Sequence, residues 1–127
     1  MEAIKITGTD DTPVIIMDKD NGVFLISGRS LPEDATAFFD PVLEWIEKYA
    51  ADPLTMTVFD FKLSYFNTAS SKLLLDILLM LEKMSENGHD VSVRWYYPDD
   101  DEDMQEAGLE YADIVDIPFE HIAYPFK

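Results

Sequence analysis

Apolar residues recur along this chain in two different periods. In the first third, Ala3 to Thr7, Pro13 to Met17 and Val23 to Ser27 are short apolar runs separated by turn signals. Asn21-Gly22 lies between the last two, which predicts a β-hairpin. From Glu33 to Ala51 the period becomes helical: Phe38, Phe39, Val42, Leu43, Ile46 and Tyr49 share a face, and Glu44, Glu47 and Lys48 are left for solvent. Pro41 leaves two versions open. Either Asp40 caps a helix starting at Pro41, or a longer helix from Glu33 kinks there, and the longer, kinked helix is the expectation.

Leu54 to Leu63 follows Asp52-Pro53 and mixes β-branched with aromatic residues, which predicts a central strand. A polar turn leads to a helix over Ala69 to Glu86 that stops at Asn87-Gly88. Leu73, Leu74, Ile77, Leu78 and Leu81 form its main apolar face. Leu75, Leu79 and Met80 spread that character round the helix, which is therefore either deeply buried or partly an interface. Val91 to Tyr96 predicts a strand, Asp101 to Ala112 a helix and Phe119 to Ala123 a last short strand. Strand and helix alternate in the second half, so right-handed crossovers and parallel strands are expected there. The fold class is α/β, a mixed β-sheet with helices packed on it.

Composition narrows the functions available. The 127 residues with 47% hydrophobic content suit one compact domain, 1–127. The 26 acidic against 9 basic residues give a net charge of −17, which repels nucleic acid and anionic lipid and favours a partner with a basic face. Cysteine is absent, so disulfides, thiolate metal sites and cysteine nucleophiles are excluded. The start of the chain lacks a signal-peptide pattern, and no apolar run approaches the roughly 20 residues that span a bilayer. A cytoplasmic location without membrane attachment is the expectation.

The chemistry concentrates at Thr68, a hydroxyl where the leucine-rich helix begins. A helix N-terminus offers unpaired N–H groups and the positive end of the dipole, so a phosphate attached there is well accommodated. The plain reading is that Thr68 or Asn67 is only an N-cap. Asp99, Asp101, Asp103 and Glu110 fit positions of a calcium loop, but Met104 stands where the tight turn needs glycine, and a solvated loop at a helix start fits better. His89 and His121 are far apart in sequence and lack metal-site spacing. Asp60 is expected to lend hydrogen bonds to the Thr68 turn, and Trp95, Tyr96 and Tyr97 to pack the sheet or line a protein interface. No cofactor motif is present.

From Thr57 onward the order of features resembles a STAS-type domain, the fold of anti-sigma factor antagonists. The parts are Val58-Phe59-Asp60, Phe66-Asn67-Thr68-Ala69-Ser70, Leu73 to Leu81, Gly88, Val91 to Val93 and Ala107-Gly108-Leu109. The whole chain is similar to the SiaC family of bacterial regulatory phosphoproteins. That similarity rests on Gly8-Thr9, Thr12-Pro13, Pro32-Glu33, Asn67-Thr68 with Ser70 and Ser71, Asp76-Ile77-Leu78, Val91 to Tyr96 and Pro118-Phe119.

The resemblance implies a partner switch rather than an enzyme. A protein kinase phosphorylates Thr68, a PP2C-type phosphatase removes the phosphate, and the unmodified form binds and activates an output enzyme such as a diguanylate cyclase. Ala69 stands where the family commonly has serine. The expected partner-binding residues are Tyr65, Phe66, Asn67, Thr68, Ser70, Ser71 and Lys72, with Tyr65 and Phe66 as exposed apolar contacts and Lys72 near enough to meet a phosphate. The competing expectations are an acidic metal- or small-molecule-binding domain using Asp60 and the 99–103 carboxylates, and a constitutive STAS-like scaffold without phosphoregulation. Oligomeric state and the identity of the output partner are left open by the residues.

Overall fold

The computed structural model describes residues 1–125. Strands β1 (Ile4–Ile6), β2 (Val14–Asp18) and β3 (Val23–Ser30) form an antiparallel meander, with Asn21-Gly22 in the β2–β3 turn as the sequence predicts. Gly22 takes φ 66°, the left-handed backbone that this turn needs and that glycine adopts without strain. Helix α1 (Ala35–Ala50) follows, then β4 (Met56–Phe66), α2 (Thr68–Glu86), β5 (Asp90–Pro98), α3 (Glu102–Ile114) and β6 (Phe119–Tyr124). β3, β4, β5 and β6 pair in parallel, so the mixed sheet expected from the sequence is the sheet observed.

Strand order across the sheet equals chain order, β1-β2-β3-β4-β5-β6. Three successive right-handed crossovers that advance in one direction place α1, α2 and α3 on the same face. The burial pattern agrees. Thr57, Phe59, Phe61 and Leu63 of β4 are buried, whereas Val58 and Asp60 between them are half-buried and Met56, Lys62 and Ser64 are exposed. In β5, Val91, Val93 and Trp95 are buried under the helices, and Ser92, Arg94 and Tyr96 look to the open side. The core therefore lies between one sheet face and three helices. Trp95, Phe61 and Phe39 are fully enclosed in it, each side chain removing on the order of 2–3 kcal/mol of apolar surface cost from water.

The longer of the two helices expected around Pro41 is the one observed: α1 starts after the N-cap Asp34, whose carboxylate accepts the Ala37 N–H at 3.1 Å, and continues through Pro41. Pro41 and Ala37, whose carbonyl has no Pro41 N–H to accept, are both exposed residues. Other boundaries and roles differ from the sequence reading. β4 runs three residues beyond Leu63 to include Tyr65 and Phe66, because β3 supplies partners for them: Arg29 pairs with Tyr65 and Ser30 with Phe66 beyond a register shift after Gly28. Asp60 serves the open face, not the Thr68 turn. Its two carboxylate oxygens accept from Arg94 Nε and Nη2 at 2.6 and 2.8 Å, and this pairing holds the Arg94 guanidinium in its charged form more firmly than usual.

Candidate functional site

Thr68 sits where the carboxyl ends of β3 and β4 meet the start of α2. Asn67 is the N-cap: its backbone is extended, and its side-chain oxygen accepts the Ser70 N–H at 2.8 Å. The Asn67 carbonyl accepts the Ser71 N–H at 2.9 Å, and the Asn67 N–H donates to the Ser30 carbonyl at 3.0 Å. The turn is thus bolted to the end of β3. Thr68 itself is exposed at the first helical position, relieved of the capping task by its neighbour.

The other expected site residues divide between surface and interior. Tyr65 is 46% exposed and lies under the Arg29 guanidinium at 5.5 Å from the ring centroid, while Lys72 is exposed one turn into α2. Ser71 is partly exposed and donates its hydroxyl to the Thr68 carbonyl at 2.7 Å. Ser70 corrects the sequence reading. It is fully buried and accepts a hydrogen bond from the Ser30 hydroxyl at 2.9 Å, so it anchors the turn and does not face a partner. Phe66 also departs from expectation: it is half-buried, with its ring 6.3 Å from those of both Trp95 and Tyr111.

Three residues that sequence reasoning missed hold this region. Ser30 ties strand to helix, and no local pattern marks it because its partners lie about forty positions away. Arg29 spans from Tyr65 to the Asp10 carbonyl, to which its Nε donates at 3.0 Å. Tyr111 on α3 donates its hydroxyl to the Ser71 carbonyl at 2.8 Å, linking α3 to the first turn of α2. Burial, reinforced by the nearby Glu110 charge, pushes the Tyr111 phenol up to about 12.

The electrostatics of the two neighbouring helix starts differ. The first turn of α3 carries Glu102 and Asp103 behind the N-cap Asp101, whose carboxylate accepts the Met104 N–H at 2.9 Å. The first turn of α2 carries no acidic side chain, so its positive end is not already neutralised. Of the carboxylates considered for a cation, Asp101 is spent on the cap and Glu110 lies two turns along α3. Among the described residues, no group of three or more His, Cys, Asp or Glu is arranged to hold a metal ion. No helix among them is long and apolar enough to cross a membrane.

Comparison with known proteins converges on one group. The model of the SiaC family of regulatory phosphoproteins matches residues 6–124. An uncharacterized protein of Pseudomonas aeruginosa strain UCBPP-PA14, PA14_02130, is 35% identical over 119 residues, 94% of each chain. The crystal structure of apo-SiaC from Pseudomonas aeruginosa superposes with a TM-score of 0.89 at 35% identity, over 97% of this chain and 100% of that one. SiaC in its complex with the diguanylate cyclase SiaD, where it is the activator, superposes with a TM-score of 0.90 at 35% identity, over 95% of this chain and 99% of its own.

Proposed function

The chain belongs to the SiaC family of regulatory phosphoproteins, and from that premise we propose that it is a non-enzymatic cytoplasmic partner switch controlled at Thr68. The unphosphorylated form binds and activates an output enzyme, by analogy with the solved activator complex a diguanylate cyclase. A kinase adds phosphate to Thr68, and a PP2C-type phosphatase removes it.

The observation that carries this reading is the division of labour between Asn67 and Thr68. Asn67 makes the cap bond, so Thr68 stands exposed at the positive end of a helix that has no acid of its own in the first turn. A phosphate there brings roughly −1.5 to −2 charges and three acceptor oxygens to a place that tolerates them. The Ser30–Ser70 and Ser30–Asn67 bonds keep the turn in position, so modification changes the surface and leaves the fold alone. A partner seated on that surface would meet a bulky dianion.

The test is a pull-down from the native cytoplasm with wild-type, Thr68→Ala and Thr68→Glu chains, with the captured proteins identified by mass spectrometry. Wild type and Thr68→Ala should retain a cyclase that Thr68→Glu loses. Identical sets from all three would leave the constitutive scaffold as the correct description.

A further inference from the structure

All three crossover helices lie on one face of the sheet, so among the described residues no helix covers the other face. The middle of that open face is apolar. Val14, Ile16, Leu25 and Val58 gather there on adjacent strands, Ile16 paired with Leu25 and Val14 with Ser27, and all four are only half-buried. Val23 and Met56, toward the amino ends of β3 and β4, are 40% and 59% exposed.

The charges of this face are ordered along the strands. Lys5 pairs with Asp18 at 3.7 Å and Arg94 with Asp60, so those four are answered within the chain. The others divide by end. Arg29 lies over the Tyr65 ring, and Lys62 Nζ lies 4.9 Å from the Tyr124 ring centroid and 5.8 Å from that of Tyr96, toward the carboxyl ends of β3 and β4. Asp90 opens β5, and Glu120 stands opposite Arg94 near the start of β6. Positive and negative strand positions therefore cancel on this face of a chain whose net charge is −17.

Two copies of so acidic a chain repel over most of their surface, and a face without net charge is where they can meet. A two-fold axis lying between two sheets and across their strands sets the strands antiparallel, with the carboxyl end of each face over the amino end of the other. We propose that a second copy of the chain packs on the open face in this way, the four apolar residues at the centre and Arg29 and Lys62 of each copy toward Asp90 and Glu120 of the other. Five strand spacings of about 4.8 Å by about 27 Å along β4 give about 650 Å² per copy and about 1,300 Å² in all, within the range of specific interfaces. The packing does not depend on the switch reading. Taken with it, the dimer turns the helices of both copies outward and sends the two Thr68 turns to opposite ends, so two output proteins can be held at once.

Sedimentation of the whole chain at rising concentration, beside NMR of the isotope-labelled chain, tests the assignment. The wild type should pass from monomer to dimer, with concentration-dependent shifts at Ile16, Leu25 and Val58. Lys62→Glu sets an acid over the acidic end of the other copy, and Asp90→Lys sets a cation over its basic end. Each change is on an exposed side chain and should weaken association about tenfold. An equimolar mixture of the two variants should recover a heterodimer of at least wild-type affinity, which a variant that fails to fold cannot give. A wild type that is monomeric at every concentration, association that neither variant weakens, a mixture no tighter than the separate variants, or shifts confined to the helices would each overturn the proposal. A captured protein that shifts Leu25 and Val58 of a monomeric chain would give the face to that protein and remove the dimer. Thr68→Glu should leave association unchanged. Loss of the dimer in that variant would place the contact at the start of α2 and overturn the proposal, whereas an intact dimer beside a pull-down insensitive to Thr68 retains the dimer and removes the switch.

Discussion

The Ser30 hydroxyl donates to Ser70 Oγ at 2.9 Å with both residues sealed from solvent, joining the end of β3 to the first turn of α2. Replacing Ser70 by alanine leaves the Ser30 hydroxyl buried without this acceptor. The expected cost is about 1–3 kcal/mol in urea unfolding. The Ser30→Ala/Ser70→Ala double variant should lose less than the sum of the single changes, because no orphaned hydroxyl remains.

Asn67 and Thr68 should separate cleanly in stability measurements. Asn67→Ala removes the cap bond to Ser70 and is expected to cost about 1 kcal/mol. Thr68→Ala should stay within about 0.5 kcal/mol of wild type, since the residue is exposed and makes no cap. A larger loss at Thr68 than at Asn67 would mean that the threonine is structural.

Gly108 packs its bare backbone against the Trp95 ring, and a methyl group there would overlap the indole. Trp95 cannot withdraw, being fully buried and donating Nε1–H to the Met104 carbonyl at 3.0 Å. Gly108→Ala should therefore destabilise by at least about 1–3 kcal/mol despite its better helix propensity. Denaturation followed by tryptophan fluorescence would show the loss.

Alkali should probe the α2–α3 link. The Tyr111 phenol ionises near 12 in the folded chain against about 10 unfolded, so the unfolded state releases its proton first as pH rises. The stabilisation linked to the protonated phenol is complete below pH 10 and is lost progressively between 10 and about 12. Tyr111→Phe should lack this component, so the wild-type advantage in melting temperature should shrink over that window. A constant difference across it would show that the phenol does not titrate abnormally.

The elements were legible where pattern and local chemistry agree. Asn21-Gly22 marks its hairpin, Asn87-Gly88 its helix end, and the leucine run of α2 its buried face. What escaped depends on partners distant in sequence. Tyr65 and Phe66 look like part of a turn until β3 supplies their ladder, and Ser70 looks like one of several surface hydroxyls until Ser30 covers it. Asp60 gives no sign of its face in isolation, because its role follows from the register that places Arg94 opposite. The position of Thr68 could be read from the helix start alone. Its freedom from the capping task could not, since Asn and Thr are both good caps and only the backbone decides between them.

The order of the strands bears on how this sheet is made. Because each new strand joins the outer edge of the one before it, no strand has to be threaded between two that are already paired. The sheet can be laid down in the sequence in which the chain is synthesised, each crossover helix covering its own section of the apolar face as it arrives.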